Sequence, residues 1–213
     1  VNITIFGANG TIGKIVMNYA LEHGDIVTAY VRRIDSITKL QNNLIVLVGE
    51  LSNQHLIEKA IEKADVVIST LGPALDMSRE KKGTPIADGH EYIIHAMEKL
   101  KKRRFITLAT PSIHSEEDRK QLWIILPPIM AKLLYPNGYR EMKKIEQIIK
   151  SSSLEWTVVR IINPNVKHKN NDYHVSLGDK PVKMSVSREN VGAFIYRVAS
   201  ENLYNKQMPI VFN

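Results

Sequence analysis

Short apolar runs and longer amphipathic stretches take turns along most of the chain. "NITIF", "IVTAYV", "LIVLVGE", "DVVISTLG", "RFITLAT" and "EWTVVRI" are rich in Val, Ile and Thr, and each has the length of a strand. Between them lie helical stretches: one starting near Thr11, "NQHLIEKAIEKA" with Asn53 as its cap, one from Pro85 to Lys101, and one holding Tyr139. Apolar strands alternating with helices predict a parallel sheet covered on both faces. Right-handed crossovers then make it an α/β doubly wound sheet, a Rossmann fold.

From about residue 161 the alternation loosens. "YHVSL" and "PVKMSV" flank "LGDK", where Gly178 and Asp179 fit a turn. "SRENVGAFIYRVA" reads as a helix with Ser187 as N-cap, and "MPIVF" as a last strand. The expectation is one dinucleotide-binding domain over 1–213, with 161–213 as a small elaboration on the substrate side.

Composition narrows the chemistry. With 44% hydrophobic and 24% charged residues, the chain has the balance of a globular protein with a real core. It has no cysteine, which excludes disulfides and thiolate metal ligands. The histidines show no metal-ligand spacing, His90 and His95 lying off a shared helical face, so no metal is expected. The net charge of +7 would suit a phosphorylated ligand as well as nucleic acid or anionic lipid. Its longest cluster, "KLKKRR", reads as a solvated helix end running into a strand, where the helix dipole favours cations. No nucleic-acid partner is therefore expected. The most apolar stretch, "LWIILPPIMAKLL", contains two prolines and a lysine and is shorter than the roughly 20 residues a bilayer requires. With no signal peptide evident, the expectation is a cytoplasmic protein with no membrane partner, a monomer or weak homodimer.

"FGANGTIGK" supplies the first candidate chemistry. Gly7, Gly10 and Gly13 follow a strand and open a helix, the context in which backbone N–H groups and the helix dipole hold a pyrophosphate. The second strand ends in Arg32 and Arg33, where an NAD site usually presents a carboxylate; Asp35 comes too late for that role. Guanidinium groups match a 2′-phosphate instead, so NADP is the expected cofactor, with NAD left open.

"GANGTIG", "VRR", "GEL", "ISTLG", "RFITLAT", "SSLEWTVVRI" and "SVSRENVGAF" together resemble the atypical short-chain dehydrogenase/reductases. The similarity is greatest to the small NAD(P)H-binding proteins that include flavin reductase/biliverdin reductase B and the NADH-flavin reductases. That resemblance implies that Gly7, Asn9, Gly10, Thr11, Ile12 and Gly13 wrap the pyrophosphate, and that Arg32 with Arg33 holds the 2′-phosphate. It also implies Glu50 and Leu51 beside the adenine, and Thr70, Leu71 and Gly72 along the nicotinamide-side ribose. Thr110 falls on the family's hydroxyl position after the fifth strand, and alternatively caps a turn there. The chain departs from the family at Arg160-Ile161, where Arg-Pro is usual.

The last candidates are Tyr139 and Lys143. Their spacing is that of a proton-donating tyrosine and the lysine that lowers its pKa. Counted back from "SSLEWTVVR", however, the family's tyrosine and lysine positions fall on Gly138 and Met142, and its glutamate on Glu146. Spacing makes the pair catalytic; register places it on the flank of a helix whose apolar face is Met142, Ile145 and Ile149. Trp123, Leu126, Pro127 and Met130 offer a lid or wall over the nicotinamide, or else a buried core helix. The expected activity is hydride transfer from NADPH to a flavin, quinone or similar small acceptor. The alternatives are a non-enzymatic NADP(H) sensor and, behind it, an epimerase.

Overall fold

In the computed structural model, which describes residues 1–33, 41–80, 82–166 and 172–213, the apolar runs assemble into one large sheet. The first half consists of β1 (Asn2–Phe6), α1 (Thr11–Glu22), β2 (Ile26–Val31), β3 (Leu44–Val48), α2 (Gln54–Ile61), β4 (Val66–Ser69), α3 (Pro85–Lys99) and β5 (Arg104–Ala109). The second half adds α4 (Leu122–Leu134), α5 (Pro136–Ser151), β6 (Glu155–Arg160), β7 (Asn163–Val166), β8 (His174–Ser176), β9 (Ser185–Ser187), α6 (Arg188–Ser200) and β10 (Ile210–Phe212). Strand order in the main sheet is β3-β2-β1-β4-β5-β6-β10-β8, all parallel except β8, which runs antiparallel to β10. The order reverses between β1 and β4, so a crevice opens outside the carboxyl ends of those two strands.

Strands buried on both faces explain the continuous apolar runs. Ile3, Ile5, Val16, Val191 and Phe194 pack under α1 and α6 on one face. Phe6, Ile57, Ile93, Phe105 and Ile145 pack under α2, α3 and α5 on the other. The helix starts follow the sequence closely. Asn53 accepts from Leu56 N–H at 3.0 Å, and Ser187 accepts from Asn190 N–H at 3.0 Å, each satisfying one donor that the first helical turn leaves free.

The turn expected at Gly178 and Asp179 is present as a bend over 177–180, and the runs on either side pair elsewhere: β8 with β10, and β9 in parallel with β7. Gly178, at φ 97°, also lets the chain pass Asp118, because a Cβ there would collide with the Asp118 carboxylate. Two regions differ from the sequence reading. "KLKKRR" is not solvated throughout. Arg104 is the first residue of β5 and lies buried, donating to the carbonyls of Glu155, Val198 and Leu203 and to the Thr157 hydroxyl. Burial pulls its pKa down to about 10, against the opposing charge of Glu155. Finally, α4 is not a buried core helix: Leu126 and Met130 are exposed. Only Ile124 and Pro128 of α4 are buried, and Trp123 packs beside Ile124, Val182, Ile210 and Phe212.

Candidate functional site

The glycine turn gains its shape from one strained position and one close approach. Gly7 sits at φ 80°, a left-handed conformation that L side chains avoid, and its carbonyl accepts from Gly10 N–H at 2.9 Å. Gly13 lies so close behind that a Cβ would collide with the Gly7 oxygen and the Thr70 hydroxyl. Thr70, just beyond β4, splints the turn by donating to the carbonyls of Phe6 at 3.2 Å and Gly7 at 3.0 Å. Gly10 is the N-cap of α1 and has no side chain to cap with, and the first turn carries no acid. The first N–H groups of α1 are thus left for an outside anion. The donor set fits the pyrophosphate of a dinucleotide.

A cavity of about 590 Å³ opens in front of this turn. Gly7, Asn9, Arg32, Glu50, Leu51, Leu71 and Gly72 line it, drawn from the ends of β1, β2, β3 and β4. Gly10, Thr11, Ile12 and Gly13 form the cap and first turn of α1. Arg33 is exposed and, like Thr70, is not part of the lining, while Asp35 lies outside the described residues. Pro73, Ala74 and Asp76 on one side of residue 81, and Lys82 and Gly83 on the other, also face the cavity. Two residues of α5 hold these stretches. Buried Asn137 donates to the carbonyls of Ser78 and Glu80, both at 3.0 Å, and Arg140 donates to the carbonyl of Lys82.

Sequence reasoning missed the most consequential acid at this cavity. Glu141 is buried on α5 and accepts from the N–H groups of Ile86 at 3.3 Å and Ala87 at 2.7 Å. Its carboxylate therefore fills the anion position at the start of α3. A second missed feature lies behind it. His90 is completely buried, with Nδ1 bonded to the Ile86 carbonyl at 2.8 Å and Nε2 to the hydroxyls of Ser69 at 3.0 Å and Thr107 at 3.2 Å. Burial drives its pKa down to about 4, the Ile86 bond opposing, so the ring is neutral near pH 7 and bolts α3 to β4 and β5.

Gly138 and Tyr139, adjacent on α5, face different spaces. Gly138 lines the larger cavity. Tyr139 lines a second one of about 380 Å³, together with His114, Asp118, Arg119, Lys120 and, on α4, Ile124, Ile125, Pro128, Ile129 and Lys132. One wall is aliphatic; the rest carries cations, an imidazole and a phenol. Lys143 is engaged elsewhere, in an ion pair with Glu146, which also accepts from Lys150 at 2.7 Å. Burial pushes the Glu146 carboxyl up, but the two lysines outweigh it and hold the group below its usual pKa. Thr110 is exposed at the end of β5, and its hydroxyl accepts from Ser112 N–H at 3.4 Å. The loop carrying these residues is anchored by Arg160. This fully buried side chain makes a two-pronged pair with Asp118 at 2.6 and 2.8 Å and donates to the Met208 carbonyl at 2.9 Å. Such a pair, once buried, is costly to leave half-made. An arginine ending an apolar strand was the available signal for it.

Comparison with known proteins identifies the family and the fold. A family model described as NAD(P)H-binding matches residues 7–202. No curated relative matches the chain. Among solved structures, a short-chain dehydrogenase/reductase of Veillonella parvula in complex with NADP is similar at a TM-score of 0.81 and 21% identity, covering 100% of this chain and 94% of that one. ChuY, an anaerobillin reductase of Escherichia coli O157:H7, is similar at 0.77 and 22%, covering 100% and 97%. A Rossmann-fold NAD(P)-binding family protein of Shigella flexneri gives 0.73 and 20%, covering 99% and 92%. At these identities the likeness establishes the fold.

Proposed function

The chain belongs to the NAD(P)H-binding family, and from that premise we propose that it is an NADPH-dependent reductase of a flavin, quinone or similar conjugated acceptor. The observation that carries the proposal is the pair of cavities lined by the adjacent α5 residues Gly138 and Tyr139, one beside an uncapped helix start and one walled by aliphatic side chains and cations.

Each part of the chain then has a task. Gly7, Gly10 and Gly13 bring the α1 backbone against the pyrophosphate, with Asn9, Thr11 and Ile12 completing the turn. Arg32 meets the 2′-phosphate, with Arg33 next to it along the chain, and Glu50 and Leu51 border the adenine. Leu71 and Gly72 line the path toward the nicotinamide, while Thr70 holds the turn in place from behind. When bound, the reduced nicotinamide supplies a hydride. Ile124, Ile125, Pro128 and Ile129 exclude water from one face of the acceptor. Arg119, Lys120 and Lys132 favour an acceptor that carries carboxylate or phosphate, as the flavin nucleotides do. Tyr139 and His114 are the groups in that cavity able to move a proton. Lys143, committed to Glu146, does not activate Tyr139, so the proton that follows the hydride comes from solvent. Thr110 closes the loop rather than contacting the acceptor.

NADPH oxidation with a panel of flavins and quinones tests this reading. Turnover of at least one member is expected, and Tyr139→Phe should retain it within about tenfold, whereas loss of an essential acid is typically worth 10²–10⁴. Micromolar NADPH binding with no turnover of any acceptor would instead favour the non-enzymatic sensor. A fall of a hundredfold or more in Tyr139→Phe would restore the tyrosine as the proton donor.

A further inference from the structure

Most surface helices turn a polar face outward, but α4 does not. On α5 the outward positions include Gln147 and Lys150, whereas the outward face of α4 is Leu122, Leu126, Ile129, Met130, Leu133 and Leu134. Leu122 and Leu133 are each 63% exposed, and the one charged residue of the helix, Lys132, lies on the flank facing the smaller cavity. Leu122, Leu126, Met130, Leu133 and Leu134 form no part of that cavity's lining, so a bound acceptor would not cover them.

We propose that this crest is the contact between two copies of the chain, packed as an antiparallel helix pair about a twofold axis. The spacing carries the argument. Leu122, Leu126, Ile129 and Leu133 are separated by four, three and four residues, the alternation that keeps one seam facing a partner helix. The seam is also its own complement when reversed: Leu122 comes opposite Leu133 of the second copy, and Leu126 opposite Ile129. An isologous contact requires that property. The outward crest contributes on the order of 600 Å² of aliphatic surface per copy, or roughly 1,200 Å² across the pair, the lower end of the range for specific interfaces. Patches of this size are rarely left bare on a monomer. Ile129 belongs both to the seam and to the cavity wall, so the second copy would brace the wall of each acceptor site.

Sedimentation velocity over a concentration series tests the assignment. The chain should run near twice its 24.2 kDa. Leu126→Lys, which alters an exposed residue, should return it to the monomer mass, with at least a tenfold weaker dimer constant and an unchanged circular dichroism spectrum. The absence of native cysteine gives a second readout. Under mild oxidation the Leu122→Cys/Leu133→Cys variant should form a cross-linked dimer, and Leu122→Cys alone should not. A wild-type chain that stays at 24.2 kDa throughout would overturn the proposal, as would a dimer that survives Leu126→Lys. Cross-linking by Leu122→Cys alone would refute the antiparallel arrangement. Monomers that float with phosphatidylglycerol vesicles would assign the crest to a lipid surface instead.

Discussion

Two helices begin at the same cavity and treat their unpaired N–H groups in opposite ways. At the start of α1 the cap is Gly10, no side chain intervenes, and the first turn carries no acid. At the start of α3 the protein supplies its own anion: Glu141, from α5, accepts from Ile86 and Ala87 N–H. Both ends attract negative charge for the same physical reason. The difference is who provides it, and it separates a binding position from a structural one. One start is held ready for a ligand; the other is already occupied by a residue 54 or 55 positions away in sequence.

The comparison can be broken by making α1 resemble α3. Gly10→Asp would give α1 a carboxylate cap of its own, since a Cβ there meets the Gly7 oxygen at 3.2 Å, tight but tolerable after a small shift. NADPH affinity should fall by roughly a hundredfold, about 2.7 kcal/mol, while thermal stability changes by less than about 1 kcal/mol. Calorimetric titration and a melting curve on one sample separate the two effects. The converse change is Glu141→Ala, which leaves the α3 donors without a partner. It should destabilise the fold by about 2 kcal/mol in denaturant unfolding. Glu141→Gln should recover part of that loss because it still accepts a hydrogen bond.

The smallest of these effects is pH-dependent and belongs to α3 alone. His90 has its folded pKa lowered from 6.5 to about 4, so between those values the unfolded chain binds more protons than the native one. His90 therefore contributes fully above about pH 6.5, and its contribution is lost as the pH falls toward 4. Acidification from pH 6.5 to 5 should cost on the order of 1–2 kcal/mol, and His90→Gln should flatten that slope. An unchanged slope in the variant would mean that another group titrates there.

What could be read from the sequence follows from the range of the interactions. The α1 turn is built from backbone and glycine within a few residues, so "FGANGTIG" displays its own geometry. The sheet was legible because strands buried on both faces leave continuous apolar runs. Glu141 on α3, Arg160 on Asp118 and His90 between Ser69 and Thr107 are polar pairs formed across the fold, and no local pattern announces them. Arg104 misled for a related reason: it ends a run of four consecutive basic positions but belongs to the strand, whose pairing draws it inside. In α4 the pattern was silent rather than hidden, because a helix that is apolar all round has no phase to say which face is covered. Tyr139 shows the limit of spacing as evidence. Its neighbour Gly138 faces the larger cavity, and one residue of rotation sends the phenol to the smaller one.

The central claim is that the larger cavity, with Arg32 in its wall, receives a dinucleotide carrying a 2′-phosphate. Parallel titrations of NADPH and NADH into the wild-type chain and Arg32→Ala test it most directly. One charge-assisted contact is worth about 1.5–3 kcal/mol, so NADPH affinity should fall at least tenfold in the variant while NADH affinity changes by less than about threefold. Equal losses for the two cofactors, or no loss for either, would contradict the assignment.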